Sequence, residues 1–279
     1  MKKKEVIIAL NHYELPNAAA NYGTNLAKSL NRPALLYGVE KVPVIREPLS
    51  ATGVGISMPI LSGIGKVKKE AQQQIAKLHQ EAISIYPDIK YDVEIGFSEP
   101  SIIEKAEDND THLVVVEGDN ELSTLHEWFG TYETRLAENI EAPVLVLPKD
   151  FYWKPINRIV YIMEVDDSKV QNMRFLTNLV KNLKADIAVV MISNEQNEGE
   201  MKKYNQIVRT MHTLLEYKNV NFHQIFTQDT VNTIDKLMNE VGADWLAFEH
   251  DSKSFFERMF DGYNTKRLIL QSEIPVLVF

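Results

Sequence analysis

A chain of 279 residues with no cysteine and a formal net charge of −9 excludes several chemistries before any motif is read. Disulfides, thiolate metal sites and cysteine nucleophiles drop out together, which fits a reducing, cytoplasmic setting. The acidic balance opposes phosphate backbones, and no apolar run approaches the roughly 18 residues needed to span a bilayer, so neither a nucleic acid nor a membrane is an expected partner.

The opening segment MKKKEVIIALNHYELP starts basic, but its apolar stretch runs only from Val6 to Leu10. That is too short for a secretory core and suits a first strand at Glu5 to Leu10. A helix over Asn17 to Asn31 and a strand at Ala34 to Val39 follow. From Lys41 to Gly65 the sequence KVPVIREPLSATGVGISMPILSGIG is rich in Pro, Gly and Ser without periodicity, so a long surface loop is expected. Gly63, Gly65 and Lys66 suggest a phosphate loop, but Ile60 and Val67 stand where Gly and Ser or Thr are required. Helices at Lys66 to Ile85, Pro100 to Asp108 and Leu125 to Asn139 alternate with strands at Lys90 to Ile95, Leu113 to Glu117 and Val144 to Leu147. Residues 149–155, KDFYWKP, read as a linker whose aromatic residues pack against the domains. Strands at Arg158 to Met163, Ile187 to Ile192, Asn221 to Phe226, Trp245 to Glu249 and Val276 to Phe279 then repeat the pattern.

The repetition is visible in the residues themselves. Leu113 to Leu147 lies over Trp245 to Phe279 at a constant offset of 132, with identities at Glu117/Glu249, Asp119/Asp251, Gly130/Gly262 and Arg135/Arg267, and Pro143 to Val146 matching Pro275 to Val278. Leu26 to Glu40 lies over Leu179 to Ser193 at an offset of 153, so the first copy carries 21 extra residues in its middle. The expected fold class is α/β: two tandem open parallel five-stranded sheets, in domains 1–148 and 156–279, each with helices on both faces. Ligands of such sheets sit beyond the carboxyl ends of the strands, where strand order reverses. Asn11, Glu164, Val39 and the segments after the fourth strand of each copy fall there.

The GFSEPSIIEKAEDNDTHLVVVEGD segment, its echo MNEVGADWLAFEHD, and the closing PVLVL and PVLVF strands resemble the universal stress protein family in its tandem two-domain form. The resemblance covers essentially the whole chain and implies a Rossmann-like fold of the adenine nucleotide alpha hydrolase type. Nucleotide-binding members carry a Gly-x2-Gly-x9-Gly-Ser/Thr loop after the fourth strand, whose backbone donors hold ATP phosphates. Carried onto this chain, the resemblance implies cofactor contacts at Asn11, Val39, Gly118, Gly130 and Thr131, with Mg²⁺ beside the phosphates. Glu121 replaces the middle glycine and the interval is one residue short; the second copy has His250, Lys253 and Gly262–Tyr263 at the corresponding places. A carboxylate facing phosphate is repulsive, and a side chain on Cβ blocks close backbone approach.

The expected function is therefore a non-catalytic stress-response regulatory or binding module with degenerate ATP loops. The alternatives are an ATP-binding switch or slow ATPase in the first domain, and a small-ligand sensor built on His250, Lys253 and Glu164 in the second. The partner is an unidentified small molecule or protein. The last strands are expected to pair within the chain, and homodimerisation of the whole chain stays open. No metal site is expected, because the seven histidines show no ligand spacing, and no Gly-x-Ser-x-Gly elbow marks a hydrolase. Phe255, Phe256, Met259 and Phe260 read as packing residues.

Overall fold

Short runs of Val, Ile and Leu, apolar on both faces, can be satisfied only by strands covered above and below, and this is how the sequence folds. The computed structural model describes residues 3–41, 58–108, 110–118, 132–164, 170–193, 196–215, 217–227, 230–249 and 274–279. The first half contains β1 (Glu5–Leu10), α1 (Ala18–Leu30), β2 (Ala34–Lys41), α2 (Met58–Ile85), β3 (Ile89–Gly96), α3 (Ser98–Asp108), β4 (Thr111–Glu117), α4 (Tyr132–Asn139) and β5 (Val144–Leu147). The second contains β6 (Arg158–Glu164), α5 (Val170–Leu183), β7 (Asp186–Ser193), α6 (Glu198–Leu214), β8 (Val220–Phe226), α7 (Thr230–Val241), β9 (Trp245–Phe248) and β10 (Val276–Val278).

The two expected five-stranded sheets are one sheet of ten strands, in the order β3-β2-β1-β4-β5-β10-β9-β6-β7-β8. Pairing is parallel within each half. The halves meet where β10 runs antiparallel to β5, with Val276 opposite Val146, Leu277 opposite Leu145 and Val278 opposite Val144. The last strands pair within the chain as expected, and that pairing merges the two sheets: each is a buried apolar run whose bare edge the other satisfies. The sequence offsets recur in the sheet register: β1·β4 pairs Val6 with Leu113, and β6·β9 pairs Ile159 with Trp245, 153 and 132 positions further on.

Helix ends follow their caps. Asn17 accepts the Ala20 N–H through Oδ1 at 2.8 Å, and Asn31 closes α1 in the left-handed region at φ 50°. After α7, Gly242 adopts φ +61°, where a side chain is disfavoured, and the chain turns so that Asp244 Oδ2 accepts the N–H groups of Asn157 and Arg158 at 2.7 and 3.1 Å. The expected loop from Lys41 to Gly65 is corrected in its second part: α2 starts at Met58, and Gly65 and Lys66 lie in its interior. Pro59 is tolerated in a first turn, and a helix of 28 residues absorbs the roughly 1 kcal/mol that each glycine costs. Backbone N–H groups inside a helix are bound to carbonyls one turn back, which removes the phosphate-loop geometry from Gly65 and Lys66. Residues 42–57 lie outside the described residues.

One core fills the face under α1, α2, α5 and α6, running from Val6 and Ile75 through Leu145 to Leu277, Met173 and Met211. The other fills the face under α3, α4 and α7, around Ile7, Ile102, Leu136 and Leu246. Both cores extend across the β5·β10 joint. Tyr22 on α1 receives a hydrogen bond from Trp245 Nε1 at 2.6 Å, and Phe175 on α5, 153 positions after Tyr22, stacks against His112 of β4 with ring centroids 5.0 Å apart. Each half thus sends its first helix onto the other half's fourth-strand region. The linker is fixed there too: Trp153 packs edge-on against Tyr22 at 5.1 Å, Phe151 approaches it at 5.8 Å, and Lys154 pairs with Asp244 at 3.7 Å.

Candidate functional site

In each half the strand order turns back at the first strand, so the crevice forms beyond β1 and β4 in the first half and beyond β6 and β9 in the second. At the first crevice β1 ends in Leu10 and delivers Asn11, His12 and Tyr13; β4 delivers Glu117 and Gly118. Asn11 Nδ2 donates to the Glu117 carbonyl at 2.9 Å, tying the two strand ends together. The Glu117 side chain lies on the α1 side, where Oε1 accepts the Asp150 N–H at 2.8 Å and Oε2 faces His12 Nε2 at 3.7 Å. Asn17 Nδ2 donates to the His12 carbonyl at 3.0 Å and holds the turn against the start of α1.

Of the residues implicated from sequence, Gly118 lies at the crevice, but its N–H donates to the Leu147 carbonyl at 2.8 Å, extending the β4·β5 ladder. Val39 lies near the end of β2 with its side chain 9 % exposed in the core on the α3 side. Asn11 is at the crevice and uses its amide across it. Glu164 ends β6. Gly130, Thr131, Glu121, His250, Lys253, Gly262, Tyr263 and the Phe255–Phe260 segment lie outside the described residues.

Two residues that the sequence reading did not place in the site shape it most. Tyr13, 6 % exposed, lies across the β2 backbone at Gly38; a Cβ at Gly38 would stand 2.5 Å from Tyr13 Cε1 and 2.6 Å from its hydroxyl. Burial, with the Glu40 carboxylate adding to it, pushes the Tyr13 hydroxyl pKa well up, so it stays neutral. The available signal was a glycine inside the otherwise apolar run ALLYGV, which marks close approach of another group. The second residue is Glu117, 6 % exposed and matched by Glu249 at 4 %; the signal was an identical carboxylate at the end of two apolar strands. Gly38→Ala is expected to destabilise the chain by about 1–3 kcal/mol through this overlap. In a Tyr13→Ala background the same change should be neutral or slightly stabilising, a coupling that urea unfolding of the four-member cycle measures.

No protein-family model and no curated protein matches the sequence. Solved structures do. A universal stress protein from Archaeoglobus fulgidus DSM 4304 superposes with a TM-score of 0.68 over 99 % of this chain and 96 % of its own, at 14 % identity. The chain has the universal stress protein fold. A functionally unknown protein from Pseudomonas aeruginosa PAO1 shares the architecture with a TM-score of 0.60 and 15 % identity, over 99 % of this chain and 92 % of the other. In both, coverage of nearly the whole chain means that the shared fold is matched from β1 to β10. Among the described residues no helix is long and apolar enough to cross a membrane.

Proposed function

We propose that this chain is a tandem universal stress protein, with domains 1–148 and 156–279 joined by 149–155, that acts in the cytoplasm as a non-catalytic stress-response binding module. In this reading the nucleotide site of the first domain is degenerate. The observation that carries it is the state of the described crevice groups: the Gly118 N–H is bound to Leu147, the Asn11 amide is bound to the Glu117 carbonyl, and a buried carboxylate stands beside them. A phosphate-binding loop needs free backbone donors and no fixed negative charge, and these positions offer neither.

Thermal unfolding with Mg-ATP tests this. A ligand at 100 times its Kd adds about 2.7 kcal/mol to stability, so a nucleotide switch that uses Asn11, Val39, Gly118, Gly130 and Thr131 would shift the transition plainly at millimolar ATP. No shift is expected. A shift that persists in Gly118→Ala and Thr131→Ala would place ATP elsewhere, and one abolished by either would restore the switch or slow ATPase.

A further inference from the structure

The two halves hold the same buried glutamate in different ways. In the second, the Tyr161 hydroxyl donates to Glu249 Oε1 at 2.6 Å. The register equivalent of Tyr161 in the first half is Ile8, since Tyr161 pairs with Ala247 as Ile8 pairs with Val115. Ile8 has no hydroxyl. Glu117 Oε1 is satisfied by the Asp150 N–H, but among the described residues Oε2 has only His12 Nε2, at 3.7 Å, beyond hydrogen-bonding distance. The Glu117 side chain is 7 % exposed, and no other donor among the described residues reaches it. A buried carboxylate oxygen without a donor is rare in folded proteins and calls for a partner.

We propose that Glu117 receives a primary ammonium group, carried by a small amine or by a lysine side chain, on the α1 side of the carboxyl end of β4, beside His12. His12, 48 % exposed, forms the solvent-side wall. An ammonium brings both things the oxygen lacks, an N–H donor and a compensating charge, whereas a phosphate or carboxylate would place two negative charges together out of water. The second half does not share the site, because there the hydroxyl of Tyr161 is already in place. The inference rests on reading the first-half crevice as a binding site without nucleotide.

The test is thermal unfolding of the full chain with n-butylammonium chloride or with the capped tripeptide acetyl-Gly-Lys-Gly-amide, against sodium chloride at equal ionic strength. A saturable rise of roughly 3–6 °C is expected, lost in Glu117→Gln and kept in Glu249→Gln. Response to one probe alone assigns the source as free amine or lysine side chain. No rise with either, or an equal rise in Glu117→Gln, overturns the proposal. Should Glu117→Gln fail to fold, the His12 ring resonances of the unmodified chain decide during the same titrations: saturable movement while His223 stays fixed supports the site, and an unmoved His12 rejects it. A shift with Mg-ATP alone would reject the reading of a lost nucleotide site, so the two ideas fail on different probes.

Discussion

Trp245→Ala is expected to unfold both halves together, at a temperature roughly 10 °C or more below that of the unmodified chain. Trp245 is fully buried at the start of β9, and its indole N–H donates to the hydroxyl of Tyr22, itself 1 % exposed, on α1 of the other half. Truncating a buried Trp to Ala costs about 3–5 kcal/mol in lost contacts and residual cavity. The Tyr22 hydroxyl would lose this donor as well, which adds a penalty of about 1–3 kcal/mol if water cannot replace it. Tyr22→Phe keeps both rings and removes only the acceptor hydroxyl, so it isolates the hydrogen bond and should cost the smaller amount alone. Because the sheet and both cores run through the joint, calorimetry should show one transition whose measured enthalpy equals the van't Hoff value. Two transitions, with the first keeping its original midpoint, would mean that the halves are independent folding units.

Most strands and helices were legible because hydrophobic period is a local property. Asn17 and Asn31 bracket α1 as residues suited to caps, and the runs Glu5–Leu10 and Val144–Leu147 form strands with the expected ends. The union of two sheets into one was legible only through the family resemblance, which implied that the last strands pair within the chain. It depends on β5 and β10 lying edge to edge, 132 residues apart in sequence, and local pattern carries no information about which edges meet. The start of α2 at Met58 shows the converse: glycine and proline marked a loop, but their cost is small beside the stripe of Ala71, Ile75, Leu78 and Ala82 that buries the helix. At the crevice, Asn11 and Gly118 were found from position alone, whereas their internal hydrogen bonds and the ring of Tyr13 over Gly38 depend on three-dimensional approach. Residue type named the neighbourhood; contact geometry determined which groups in it remain open.

A second large effect follows from His112, near the start of β4, where the first half packs against α5 of the second. Its ring is 9 % exposed and packs on Phe175 of the other half. Burial, reinforced by the nearby positive charges of Arg32 and Lys4, lowers its pKa from 6.5 to about 4. The unfolded chain therefore binds a proton between pH 6.5 and 4 that the folded chain refuses, and stability rises with pH through that window. The contribution is fully present above pH 6.5 and is lost as pH falls toward 4, amounting to about 2 kcal/mol between pH 7 and 5 and about 3 kcal/mol at the limit. His112→Phe keeps an aromatic ring against Phe175 but cannot take up the proton. Urea midpoints measured from pH 7 to 5 should fall less steeply in that variant than in the unmodified chain, by about this difference. Parallel curves for the two proteins would show that His112 titrates normally in the folded state, and the joint would then have to be wet at this point.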